Sequence, residues 1–254
     1  MPFGAIEHHA GPRGVRLAFQ RSAGLGPTIV WLSGYASDMS GAKAEALHAW
    51  ADGAGRAFLR FDVSGAGRSD GAFTDGTISV WLADALAMID AVTDGPLLLV
   101  GSSMGGWLAL LAAQARAARV RGLVLIAPAP DFTERLMWPE LTEAARQEIT
   151  DTGQWLRPSA YGDPVPVTRA LIEDGRRHLL LDGPIPFDGP VRILHGQLDP
   201  DVPWGHALEL CEQLETEDVR VTLIKNGDHR LSTPEHIALL IETVETLART
   251  LGPG

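Results

Sequence analysis

The chain has one cysteine among its 254 residues, Cys211, so no intrachain disulfide can staple it. That cysteine falls in an apolar-periodic stretch, where a packed and inert thiol is expected. Lysine is almost as scarce: Lys and Arg number 21, and only Lys43 and Lys225 are lysine. Positive charge is outweighed by 32 Asp and Glu, leaving a formal net charge of -11. A surface of that sign repels phosphate backbones, so nucleic acid is not an expected partner. Residues 1–11 carry neither a basic region nor an apolar run, and cytoplasmic residence is expected by default. The most apolar stretch, 97–115, is interrupted by Gly101, Ser102, Ser103, Gly105 and Gly106, which argues against a membrane span and for no stable membrane insertion. No Cys/His cluster has metal-ligand spacing, so neither a metal nor an organic cofactor is expected.

What is present is ordinary globular material, 45% hydrophobic and 21% charged, enough to cover a buried sheet on both faces. Apolar runs of strand length stand at 15–19, 28–32, 57–61, 97–100, 122–127, 191–195 and 219–224. Helical patterns fill 42–54, 79–91, 104–117, 204–214 and 234–251, the last opened by Pro234 with Ser232 or Thr233 as cap. This alternation predicts an α/β fold with a mostly parallel central sheet flanked by helices. The run 97–100 is apolar at every position, as a central strand covered on both faces requires. Between 129 and 186 the rhythm breaks. No clear strand appears, prolines punctuate short helical patches, and Trp138, Trp155 and Tyr161 stand as aromatic anchors. The segment 129–186 reads as a small helical cap inserted after the sixth strand, over a core formed by 1–128 and 187–254. Placed at the carboxyl ends of parallel strands, it would roof a site.

Gly101-Ser102-Ser103-Met104-Gly105 matches G-x-S-x-G between an apolar strand and a helix, where a strained turn exposes a nucleophilic serine. Ser102 occupies the variable position and points away. A serine hydroxyl needs a base. His229 lies in a polar turn between the last strand and the last helix, as the order Ser, acid, His demands. His195, ending a strand, is its strongest competitor. His8, His9 and His48 precede the serine, and His206 and His236 fall on helices as expected surface groups. The orienting acid should end the preceding strand, where Asp199 fits and Asp201 is the rival. Asp62 and Asp70 precede the serine and are expected to hold a loop. For the oxyanion, the Met104 N–H beside the nucleophile and the Tyr35 N–H in Ser33-Gly34-Tyr35 are the candidate donors. Met137, Trp138 and Trp155, with Leu136 and Leu156, are candidates for an acyl pocket, and Arg169, Arg176 and Arg177 for a substrate carboxylate.

These motifs arrive in the order of the α/β-hydrolase superfamily, which the chain resembles over almost its whole length. Within it, Arg60-Phe61-Asp62-Val63-Ser64-Gly65, the stretch from Gly101 to Leu108, Asp228-His229-Arg230, His195-Gly196 and Val202-Pro203-Trp204 are similar to the mitochondrial acyl-protein thioesterase and acyl-glucuronide esterase family and its bacterial relatives. Many superfamily members have His-Gly where this chain has Ser33-Gly34. The resemblance implies Ser103, Asp199 and His229 as the triad, with cleavage of an ester or thioester in a small molecule or an acylated protein, through an acyl-serine, by depalmitoylation or by opening acyl glucuronides. The alternatives are an acyltransferase or perhydrolase on the same triad, and a ligand-binding protein of the same fold without turnover.

Overall fold

The computed structural model describes residues 4–159 and 163–252, so the expected anchor Tyr161 lies outside the described residues. Among the described residues ten strands are seen: β1 (Glu7–Ala10), β2 (Arg16–Ser22), β3 (Leu25–Leu32), β4 (Arg56–Phe61), β5 (Leu97–Ser102), β6 (Val120–Ile126), β7 (Gln154–Arg157), β8 (Val165–Thr168), β9 (Val191–Gly196) and β10 (Val219–Ile224). Eight of them form one sheet in the order β1-β2-β4-β3-β5-β6-β9-β10, and β7 and β8 form a separate pair. From β4 to β10 all neighbours in the large sheet are parallel, while β2 runs antiparallel to β4 and β1 to β2.

The helices are α1 (Ala42–Gly53), α2 (Ile78–Val92), α3 (Met104–Ala115), α4 (Trp138–Glu140), α5 (Glu143–Thr152), α6 (Arg169–Gly175), α7 (Trp204–Gln213) and α8 (Pro234–Thr250). They cover the sheet on both faces. Along β5, Leu97 and Leu99 join a cluster with α2, α3 and α7, whereas Leu98 and Val100 join another with α1 and α8. That is the period-2 alternation of a strand buried on both sides. Thr233, not Ser232, caps α8, accepting from the His236 N–H, and Pro234 follows where its missing donor costs nothing.

Between β6 and β9 the chain makes a π-helical turn (Thr133–Met137), then α4, α5, the β7/β8 hairpin and α6. The hairpin departs from the strandless expectation. β7 has only four residues and β8 carries Pro166, so neither shows a long alternating pattern, and each is stabilised by pairing with the other. Met137, Leu141, Ile149, Val167 and Leu171 join the same buried cluster as α2 and α3. The segment between β6 and β9 therefore shares the core of the sheet and its helices. Polar bonds tie it down further: Asp174 of α6 accepts from the Ser79 N–H at 2.7 Å, and the fully buried Asp131 carboxylate accepts from the Leu180 and Leu181 N–H groups.

Candidate active site

Ser103 joins β5 directly to α3 and holds φ 56°, ψ −120°, a conformation that L side chains rarely adopt. So sharp a turn brings backbones together: a Cβ on Gly105 would stand 2.0 Å from the Leu32 carbonyl oxygen, and only glycine fits. Met104 opens α3, so its N–H is among those that lack an intrahelical acceptor. On the other side the loop after β3 presses in. A Cβ on Gly34 would lie 3.3 Å from Ser103 Cβ, which sets the Gly34–Tyr35 peptide against the nucleophile position. Ser33 closes that loop, taking a hydrogen bond from Trp31 Nε1 at 3.0 Å and donating to the Asp38 carbonyl at 3.1 Å.

His229 lies in the loop between β10 and α8, with Nε2 3.1 Å from Ser103 Oγ and Nδ1 2.7 Å from Asp199 Oδ2. Asp199 follows β9 and is fully buried. Its Oδ1 accepts from the Asp201 and Val202 N–H groups at 2.8 and 2.9 Å. Burial alone would raise this carboxyl. Hydrogen bonds from His195 and His229, the charge of His229 and the Val202 N–H outweigh burial and hold the group well below the usual carboxylate range. Ionised Asp199 assigns the proton to Nδ1 and leaves the Nε2 lone pair facing the serine hydroxyl.

The geometry thus brings Ser103, His229 and Asp199 into one hydrogen-bonded line. Asp201 contributes its backbone to the acid loop instead. His195 is buried behind that loop, its Nε2 2.9 Å from the Val202 carbonyl and 3.4 Å from Asp199 Oδ2. His206 and His236, expected on the surface, are both buried, and His206 Nε2 donates to the Pro130 carbonyl at 2.7 Å. Among the described residues Asp199, Asp201 and His229 also bring three metal-capable atoms within 4.8 Å of one another. An ion there would have to displace hydrogen bonds that already engage both Asp199 oxygens and His229 Nδ1.

A family model described as serine aminopeptidase, S33, matches residues 27–173, more than half of the chain and the whole stretch from β3 through the elbow. The chain belongs to the serine aminopeptidase S33 family. This S33-family protein is a hydrolase of the α/β-hydrolase fold. It is 41% identical over 233 residues to palmitoyl-protein thioesterase ABHD10, mitochondrial, of Mus musculus, covering 91% of this chain and 78% of that protein. A solved structure from Agrobacterium vitis superposes with a TM-score of 0.92 at 44% identity, covering 96% of this chain and all of that one. The mouse alpha/beta hydrolase domain-containing protein 10 superposes with a TM-score of 0.90 at 38% identity, covering 98% of this chain and 100% of that one. These relatives overturn the expected cytoplasmic residence, since the mouse protein and its rat, bovine and human counterparts are all named as mitochondrial. The expectation had rested only on the composition of residues 1–11, which does not specify a compartment.

Over Ser103 opens a cavity of about 520 Å³, within the range of small-molecule sites. The segment between β6 and β9 supplies apolar lining from Phe132, Leu136, Met137 and Val165, and charged lining from Glu140, Arg157 and Asp163. Of the five expected acyl-pocket residues, Leu136 and Met137 line this space and the two tryptophans do not. Trp138 lies under the guanidinium groups of Arg146 and Arg176, and Trp155 packs against the main core cluster. Leu156 is exposed. Arg169, Arg176 and Arg177 are away from the cavity too, facing Glu173, Glu134 and Asp174 respectively. Arg157, which sequence reasoning missed, takes the inward position because a four-residue strand alternates its faces.

Proposed function

We propose that this hydrolase is an acyl-protein thioesterase that works through an acyl-serine on Ser103. His229 Nε2 takes the hydroxyl proton as Ser103 Oγ attacks the acyl carbonyl, and Asp199 orients the imidazole and stabilises the imidazolium that forms. The Met104 and Tyr35 N–H groups receive the developing oxyanion. The cysteine sulfur leaves as the carbonyl re-forms, taking the proton from His229. Water activated by the same histidine then releases the fatty acid. The segment 129–186 acts as the cap of this site and contributes the acyl-facing wall.

The observation that carries the reading is the Ser103–His229–Asp199 line at 3.1 and 2.7 Å beneath a largely apolar cavity. An uncharged acyl chain can be desolvated against Phe132, Leu136, Met137 and Val165. The name of the mouse relative supports the thioester. An acyl glucuronide is the second reading, favoured by Arg157 in the cavity wall, which could pair with a sugar carboxylate, although Glu140 stands 4.0 Å from it.

The test is one assay with an S-palmitoylated peptide and an acyl glucuronide of matched chain length. Wild type should release the thiol, Ser103→Ala should lose about 10⁴-fold or more in kcat while folding normally, and Arg157→Ala should affect only the glucuronide. Ser103→Ala that retains thioester turnover would remove the assignment.

A further inference from the structure

Lysine is the residue this chain avoids, with only two among 21 cationic side chains, and one of them occupies an awkward place. Lys43 is the second residue of α1, where the helix dipole already puts positive charge and where Gly41 offers no side-chain cap. Neither helix stability nor the composition of the chain explains a lysine there.

What Lys43 does instead is reach across 187 positions of sequence to donate from Nζ to the carbonyl of Arg230, the residue after His229. Ser232 Oγ donates to the same carbonyl at 2.9 Å. The rest of the loop is held from other directions. The Leu198 N–H donates to the Gly227 carbonyl at 2.9 Å, the Leu231 N–H donates to Asp228 Oδ1 at 2.9 Å, and Leu231, at φ 43°, sinks into the core beside α1 and α8. The Lys43 ammonium thus tethers the stretch bearing the imidazole to α1. A point donor on a flexible stem suits one carbonyl oxygen better than the planar fork of arginine.

We propose that Lys43 is a positioning residue for His229, its ammonium clamping the Arg230 carbonyl so that the imidazole stays over Ser103. This rests on the triad reading above. The charged groups facing Lys43 are Arg230 and Asp228 of the base loop and Asp199 of the acid loop. Glu45 on its own helix is turned toward Arg60, 3.8 Å away. Burial first and Arg230 second lower the lysine, Asp228 and Asp199 oppose them, and the balance brings it down to about 8. Below that pH the clamp carries its charge. Above it the neutral amine is a weaker donor and the tether from α1 slackens, while the other bonds of the loop remain.

The experiment is a pH profile of kcat and KM on a neutral thioester from pH 6 to 10 for wild type, Lys43→Met, Lys43→Arg and Ser103→Ala, with thermal melts of each. Wild type should lose kcat through an apparent pKa near 8. Lys43→Met should melt like wild type, run about tenfold lower in kcat at pH 7 with little change in KM, and lack the alkaline fall. Lys43→Arg should recover part of kcat and keep it beyond pH 9. A Lys43→Met enzyme that follows wild type within about twofold at every pH, alkaline fall included, overturns the clamp. If Ser103→Ala is dead in that same series, only the lysine has failed; if Ser103→Ala turns over, the triad has failed with it.

Discussion

At the turn around Ser103, backbone sets the geometry: the residue sits at φ 56°, Gly105 abuts the Leu32 carbonyl, and the six positions of β5 beneath are all buried. In the inserted segment above it, side chains do the setting. Asp131 gathers the Leu180 and Leu181 amides, Asp174 holds Ser79, and the Tyr35 hydroxyl donates to the Pro166 carbonyl at 2.5 Å. Backbone constraint admits almost no substitution, because no rotamer can relieve a clash with a carbonyl. Side-chain constraint admits alternatives one contact at a time. The chemistry should accordingly be rigidly specified and the substrate wall adjustable.

The largest effect that tests this contrast lies on the rigid side. Asp199→Asn keeps the size of the side chain but offers His229 an amide, which favours the wrong tautomer, and kcat should fall by about 10⁴-fold with KM little changed. The same variant has a pH signature in stability. Asp199 titrates below its unfolded value of 3.8, so its ionised form adds stability that is complete above that pH and lost as pH falls through the folded value. Denaturant melts should therefore separate wild type from Asp199→Asn at pH 7 and bring them together in acid. A gap that persists unchanged in acid would mean that the hydrogen bonds to Asp199 do not depend on its charge.

Next in size is Gly105→Ala. The added methyl meets backbone at 2.0 Å, so β3 and α3 must part. A loss of about 3 kcal/mol in unfolding free energy, with activity lost alongside, is expected from equilibrium melts. A mild effect would show that the elbow has slack and would weaken the contrast with the insertion.

The same contrast decides what could be read from the sequence. The parallel sheet and the elbow were legible because a strand buried on both faces must be apolar throughout, and a tight turn must be glycine-rich. Both conditions are local and leave their mark in Leu97-Leu98-Leu99-Val100 and in Gly101 to Gly106. The chain order pointed to Asp199 and His229, and the geometry brings both to Ser103. β1 was missed because Glu7-His8-His9-Ala10 is a polar edge strand with no apolar periodicity. The β7/β8 hairpin was missed because its stability comes from a partner about ten residues away and from Val167 under the core. Trp138 and Trp155 were expected in the pocket as apolar residues of the segment thought to roof the site. Which face of a four-residue strand turns inward is settled by tertiary packing, and here it turns Arg157 inward.

On the adjustable side the effects should be smaller and should appear in KM. Met137→Ala removes apolar lining worth about 1.5 kcal/mol, so KM for a long-chain thioester should rise roughly tenfold while kcat holds. Trp138→Ala and Trp155→Ala should leave KM within about twofold, the latter lowering the melting temperature through lost packing. If Trp155→Ala raised KM as much as Met137→Ala does, the acyl chain would lie along β7 and not in the cavity over Ser103.

The smallest effect joins the two regions at one atom. Tyr35 is the proposed backbone donor of the rigid site and gives a side chain to the adjustable wall, its ring packed at 5.1 Å from Phe73 and 5.7 Å from Phe132. Burial raises its hydroxyl above the usual tyrosine range, so it remains a donor throughout any practical assay. Tyr35→Phe keeps the ring and deletes only the bond to Pro166 of β8. The expected cost is about 1 kcal/mol of stability, since the Pro166 carbonyl loses its partner in a part-buried setting. Because the Tyr35 N–H is untouched, kcat for a short acyl thioester should stay near wild type, while KM for a long acyl chain rises as β8 loosens over the cavity. A fall in kcat for the short substrate would instead mean that the hydroxyl steadies the oxyanion loop itself, and that the insertion belongs to the rigid part of the machine.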